Sequence, residues 1–223
     1  ASIGDLIERT LEHAPHTSRP RVISLTQSTE LGTVYSLADL KALTDFAKSH
    51  GLYIHMDGAR LANAVASLGC TPAEVVAGVD ILSFGGTKNG AMLAEAAIIF
   101  NPELVTDFAY IHKRAGQLPS KARYVSAQLQ ALLENDLWLD LGRHANAMAK
   151  VLRDGLIDRV GVGLLHPVEA NELFVTLPKA TADRLFAREH RFYNWPNEGP
   201  DTYRLVTSFA TTEDDVNTFL NDC

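Results

Sequence analysis

The run Val79-Asp-Ile-Leu-Ser-Phe-Gly-Gly-Thr-Lys88-Asn-Gly90 is a buried-strand pattern that breaks into glycines and then presents one amine. Earlier, Leu52-Tyr-Ile-His-Met-Asp57-Gly-Ala-Arg60 delivers a carboxylate at the end of another apolar strand. A strand-end Asp followed by a strand-end Lys suits pyridoxal phosphate (PLP). The Lys forms a Schiff base, and the Asp keeps the pyridine nitrogen protonated so that the ring accepts electrons. Burial of Lys88 would favour its neutral, nucleophilic form. Gly85 and Gly86 permit a sharp turn and a close backbone approach, with N–H groups that could meet a phosphate. Plainer readings stand beside these. Residues 85–90 also read as a turn with a solvated lysine and fit no nucleotide-binding fingerprint, and Asp57-Gly58 also reads as a turn pair. Yet a strand of Leu, Tyr, Ile and Met ending in Asp57 puts the carboxylate at a buried edge, where it needs a cationic partner. Arg60 could orient that carboxylate or reach a ligand oxygen. His55, on the same strand face, reads as a hydrogen-bonded core histidine.

The elements that must position these groups follow from periodicity. Residues 5–13 form a short amphipathic pattern with Leu6, Ile7 and Leu11 as its apolar positions, ended by Pro15 and Pro20. Strands are expected over 21–26, 52–57, 79–84 and 96–100. A helix capped by Ser36 should run to about His50, with Leu37, Leu40, Leu43, Phe46 and Ala47 on one stripe and Gly51 after it. Further helices are expected over 60–68 and from Thr71-Pro72. This alternation over 21–100 implies βαβ crossovers and a largely parallel sheet, with functional groups at the carboxyl ends of its strands. A long proline-free helical pattern over 123–155 links two lobes. Beyond it, strands at 171–177, 191–195 and 203–208 with helices at 180–190 and 212–220 suggest a small α+β domain. The expected division is 1–140 and 141–223.

Composition narrows the class. The chain has 223 residues, 46% hydrophobic and 21% charged, with a net charge of −7. These are ordinary values for a globular protein. His112, Lys113, Arg114, Lys121 and Arg123 are too sparse for a nucleic-acid backbone binder. No apolar stretch approaches a membrane span, and the 2 cysteines, Cys70 and Cys223, make no disulfide framework. The N-terminus shows no signal-peptide pattern. It also lacks an initiator Met, so a trimmed or excised chain is expected. No metal, nucleic-acid or membrane partner is expected, and the default location is cytoplasmic.

The combination of His55-Met-Asp57-Gly-Ala-Arg60 with Ser83-Phe-Gly-Gly-Thr-Lys88-Asn-Gly resembles the low-specificity threonine aldolases, in the β-eliminating-lyase group of fold-type-I PLP enzymes. The likeness extends through Ile23-Ser-Leu-Thr-Gln-Ser-Thr-Glu-Leu-Gly-Thr-Val-Tyr35 and resumes at Tyr203-Arg-Leu-Val-Thr-Ser-Phe-Ala-Thr-Thr-Glu213, so it covers nearly the whole chain. The resemblance implies an α/β fold with a mostly parallel sheet and a small C-terminal α+β domain. It implies Lys88 as the Schiff-base lysine and Asp57 as the partner of the pyridine nitrogen. Arg60 would contact a ring substituent or the substrate, and Arg204 would hold the amino-acid carboxylate as a bidentate fork. His16 matches in position a histidine at the substrate hydroxyl, although Ala14-Pro-His-Thr departs from the usual surroundings. Thr87 and Lys121 are candidate phosphate contacts, Lys121 reaching into a neighbouring subunit of a homo-oligomer. The implied reaction is retro-aldol cleavage of threonine and related β-hydroxy-α-amino acids to glycine and an aldehyde.

By the same resemblance, family members carry a segment ahead of Ala1 that supplies a phosphate cup and a side chain stacked on the PLP ring. Two readings follow: the chain is a portion of a full aldolase, or it is a non-catalytic binding or assembly module. Another fold-type-I lyase or transaminase is a further alternative, against which the surroundings of Arg204 and Lys88 lean.

Overall fold

Strand-forming runs and capped helices alternate through the first half of the chain. The computed structural model describes residues 3–12 and 15–223. Helix α1 (Ile3–Glu12) takes up most of the 5–13 pattern, and His13 lies outside the described residues. There follow β1 (Val22–Thr26), α2 (Leu37–Ser49), β2 (Tyr53–Gly58), α3 (Leu61–Leu68), α4 (Pro72–Val75) and β3 (Ile81–Gly85). Ser36 and Thr71 open α2 and α4 with reciprocal capping boxes to Asp39 and Glu74, which satisfies N–H groups the first turn leaves free. Gly69, at φ 65°, ends α3 in the left-handed region.

Strands β1, β2 and β3 are parallel, and their register sets Thr26 beside Asp57 and Asp57 beside Ser83. Strand β4 (Glu95–Ile99) departs from the parallel expectation and runs antiparallel to β3. Residues 86–94 hold only a 3-10 turn at Thr87–Asn89, too short a connection for a crossover helix. The sheet order is therefore β1-β2-β3-β4. Its pleat sorts side chains by parity. Ile54, Met56, Leu82 and Phe84 join Leu25, Leu40, Leu61 and Val65 in one apolar core. Ser24, His55, Asp57 and Ser83 occupy the other face, and none of them is buried.

The second half differs more from the sequence patterns. Helix α5 (Phe108–Arg114) was not foreseen. The single long helix of 123–155 is two, α6 (Arg123–Leu133) and α7 (Leu137–Leu156). Asn135 and Asp136 take φ values of 53° and 58° between them, a left-handed pair that no continuous helix holds. Trp138 and Leu139 near the start of α7 pack in the first core. Met148, Leu152 and Leu156 pack in a second one with Leu173, Val175 and Leu205.

The second sheet is antiparallel, in order β5-β6-β8-β7, from β5 (Gly163–Leu164), β6 (Glu172–Thr176), β7 (Tyr193–Asn194) and β8 (Thr202–Val206). Helices α8 (Lys179–Ala187) and α9 (Glu213–Asp222) accompany it. The two-residue β5 escapes any periodicity test, and the strand expected over 191–195 shrinks to β7. No helix among the described residues is long and apolar enough to cross a membrane.

Candidate functional site

Parallel pairing of β2 and β3 brings Asp57 and the Lys88 turn to neighbouring strand ends. Asp57 Oδ1 accepts from Ala59 N at 2.9 Å, and its carbonyl accepts from Gln27 N at 2.9 Å. Asp57 Oδ2 takes no hydrogen bond from a described residue. His55 sits below it, with Nδ1 2.8 Å from Ser24 Oγ and Nε2 2.9 Å from Ser83 Oγ. The histidine is thus satisfied, but by serines on an open sheet face rather than in a core.

Glycines let the Lys88 turn approach this corner. A Cβ on Gly85 would lie 2.9 Å from Ala59 Cα, so the end of β3 touches the backbone just after Asp57. The turn is held by Gly86 N to Ala94 O (2.8 Å) and Ala91 N to Gly86 O (3.0 Å). Buried Asn89 donates to Trp138 O at 2.8 Å, tying the turn to α7. The burial expected for Lys88 is absent: its side chain is exposed and has no polar partner among the described residues. Adjacent glycines and the open sheet face leave the amine uncovered by the described residues.

A second cluster forms beside Asp57. Arg60 stands at the N-cap position of α3 without a capping side-chain bond, and its Nη2 lies 2.8 Å from Glu172 Oε1. Arg204 Nη2 from β8 donates to the same oxygen. Glu172 itself is fully buried, with Arg60 and Arg204 at 9% and 16% side-chain exposure. Burial lowers the Arg60 pKa from its ordinary value; Glu172 opposes that effect and Arg204 adds to it. The Arg204 guanidinium also lies over the Trp195 ring, 5.7 Å from its centroid.

Distant segments are braced to make this meeting possible. Gly32 (φ 74°) packs so closely on β6 that a Cβ there would lie 2.6 Å from Glu172 O. Its carbonyl accepts from Ala170 N at 3.0 Å, and Glu169 Oε2 accepts from Val34 N at 2.7 Å. On the other side, buried Asn63 and Asn146 join α3 to α7, and Thr207 Oγ1, just past β8, donates to Ala145 O at 2.7 Å. The two arginines are therefore referred to adjacent residues of one helix.

The sequence singled out Asp57, Arg60, Lys88 and Arg204 but missed Glu172. Its signal was available: a charged residue within Asn171-Glu-Leu-Phe-Val-Thr-Leu177 has to be buried, and a buried charge needs a partner. The remaining candidates lie apart from these contacts. Thr87 Oγ1 accepts from Ala94 N at 3.4 Å. Lys121, in the turn before α6, and His16, in the bend after α1, are exposed, and their side chains have no polar partner among the described residues. The donor set at the strand ends fits PLP: a free amine at Lys88, an unshared acceptor at Asp57 Oδ2, and guanidinium groups next to them for an anion.

Comparison with known proteins agrees with that chemistry. The family model for beta-eliminating lyases matches residues 2–180. The low specificity L-threonine aldolase of Pseudomonas aeruginosa is 48% identical over 225 residues, covering 100% of this chain and 64% of that protein. A second, from a Pseudomonas species, is 46% identical over 200 residues, covering 89% of this chain and 57% of that protein. The chain thus spans less than two thirds of the length of these relatives. Among solved structures, a threonine aldolase of Leishmania major superposes with a TM-score of 0.90 at 31% identity, over 99% of this chain and 66% of that one. The tryptophan decarboxylase of Catharanthus roseus shares the fold, with a TM-score of 0.73 at 17% identity over 99% of this chain and 53% of its own.

Proposed function

The chain belongs to the beta-eliminating lyase family, and on that footing we propose that the whole protein is a PLP-dependent aldolase cleaving threonine and related β-hydroxy-α-amino acids. The observation that carries this reading is the free amine of Lys88 and the unshared Asp57 Oδ2 at neighbouring ends of parallel strands. The two Pseudomonas relatives, each named a low specificity L-threonine aldolase, support the substrate class.

In this reading Lys88 anchors the cofactor through its amine, and Asp57 Oδ2 accepts the ring N–H. When bound, PLP supplies an aldehyde that condenses with an amine and a ring that delocalises electrons released at Cα. Arg204, steadied by Glu172 and Trp195, binds the substrate α-carboxylate, and Arg60 lies beside it. Fixing the carboxylate fixes the rotation about Cα, so that the Cα–Cβ bond can be aligned for cleavage. A base removes the β-hydroxyl proton, Cα–Cβ breaks, and Cα regains a proton, giving glycine and acetaldehyde from threonine. His16 is the candidate for contact with that hydroxyl, and Thr87 and Lys121 for contact with the phosphate. A homo-oligomer in the cytoplasm completes the proposal. Exposed Met92, Leu93 and Tyr124 support the assembly as apolar surface suited to a second copy.

The exposure of Lys88 favours a second reading for the 223-residue chain alone, as a piece without turnover. One experiment addresses both. The chain, and a protein as long as its relatives, are mixed with PLP, reduced with borohydride and mapped by mass. An adduct on Lys88 with threonine cleavage, both lost in Lys88→Ala, is the expected result for the longer protein. An adduct on the longer protein only supports the second reading for the chain. No Lys88 adduct on either overturns the cofactor assignment.

A further inference from the structure

Glu172 is the buried charge for which the proposed reaction has no direct use. Its side chain is fully excluded from solvent, yet one oxygen serves two guanidinium groups, Arg60 Nη2 and Arg204 Nη2. Its other oxygen, Oε2, is buried without a partner among the described residues, as are Nε of Arg60 and Nε of Arg204. Buried polar atoms are nearly always paired, so three idle ones in a single cluster argue against a role in stability alone. Replacing such a cluster with apolar side chains is often neutral or stabilising. What the cluster achieves is geometric and electrostatic. It draws two arginines from segments far apart in sequence to one point, and it neutralises one of their two positive charges.

Resting on the amino-acid-binding reading above, we infer that Glu172 is a positioning residue that sets the charge class of the ligand: it holds Arg204 for one carboxylate and disfavours a ligand carrying two. A single α-carboxylate meets Arg204 with the charge of its neighbour Arg60 already taken up. A second carboxylate would have to sit near a buried anion in a region where charges are weakly screened. Glu30 and Asp57 also act on Arg60. Both side chains are present in the parent and in a Glu172 variant alike, so the comparison of the two reads the contribution of Glu172. Trp195 supplies a readout independent of turnover, because its ring lies under the Arg204 guanidinium.

The test compares two four-carbon acids, succinate and butyrate, by tryptophan fluorescence titration of the PLP-loaded full-length protein. Glu172→Gln retains the shape and removes the charge. The affinity of succinate relative to butyrate is expected to rise about tenfold, the effect of one unit charge at a partly screened separation. A ratio within twofold of the parent overturns the inference, since a merely structural role would move both affinities together. Should the Gln variant not fold, Glu172→Asp keeps the charge and retracts the carboxylate by one methylene. Both affinities should then fall severalfold at an unchanged ratio, and two unchanged affinities overturn the positioning role. Arg204→Ala separates this inference from the reading beneath it. For this variant binding is followed by calorimetry, because the substitution also removes the cation over Trp195: loss of binding of both acids supports the carboxylate site, whereas intact binding removes that site and the role of Glu172 with it.

Discussion

The buried pair Asn63 and Asn146 offers a direct test of how the two arginines are held. Asn63 Nδ2 donates to Asn146 Oδ1 at 2.9 Å, and Asn146 Nδ2 donates to Asn63 O at 2.9 Å. Asn146→Ala removes both bonds, a loss of about 1 kcal/mol each. It also strands the Asn63 amide, whose remaining acceptor is Gly142 O at 3.5 Å, a further ~1 kcal/mol or more for an unsatisfied buried donor. Asn146→Ala is therefore expected to cost roughly 2–4 kcal/mol. Asn63→Ala removes one of the same bonds. The double variant should fall short of the sum of the singles by about 1–2 kcal/mol, the coupling of two contacting side chains. Urea unfolding followed by Trp138, which is buried near the start of α7, measures all four proteins. Additivity within ~0.3 kcal/mol would mean that the two side-chain amides do not act on each other, which leaves α3 held to α7 by apolar packing and by the Asn146 bond to the Asn63 backbone carbonyl. In that case α7 does not position Arg60 through the amide pair.

Gly32→Ala is expected to destabilise by about 2–4 kcal/mol, from a left-handed φ and a Cβ that would meet backbone. Gly51→Ala, at φ 64° with open space around it, should cost about 1–2 kcal/mol, and equal losses in the two unfolding curves would refute the close-contact argument. Hydrogen bonds from the Thr212 backbone and hydroxyl hold the Asp215 carboxyl below its ordinary 3.8. A carboxyl depressed by folding adds stability above its unfolded value, and that stability is lost as pH falls through the folded value. Asp215→Asn should therefore flatten the decline in melting temperature below pH 3.8, and a parallel decline in both proteins would show that the cap does not contribute.

Local chemistry was the legible part of the sequence. Ser36 and Thr71 with acids three positions on mark helix starts, and β2 and β3 show as short apolar runs ending in Asp57 and Gly85. Pairing of those strands follows from the short crossover unit between them, which is why Asp57 and Lys88 could be placed on one sheet edge in advance. The misses lie where a local pattern is ambiguous or a contact is remote. Asn135 and Asp136 carry no proline or glycine to announce a break, so the helix read through them. The reversal of β4 depends on the length of a loop rather than on the strand residues. The solvation of Lys88 depends on what lies over it, which its own segment does not encode.

The two halves of the site thus rest on different physics. Asp57 and the turn that carries Lys88 lie at neighbouring strand ends because the hydrogen-bonded register of β2 and β3 leaves those ends no alternative. Arg60 comes from the turn after β2 and Arg204 from β8 of the other sheet, and like charges do not gather unaided. They require an anion between them and a scaffold behind them. Glu172 supplies the first, and α7, with Asn146 facing α3 and the Ala145 carbonyl facing Thr207, supplies the second. A change on α7 that leaves both sheets intact should therefore disturb the arginine pair before it disturbs the Asp57–Lys88 corner. That order of loss distinguishes a braced site from one held by packing throughout.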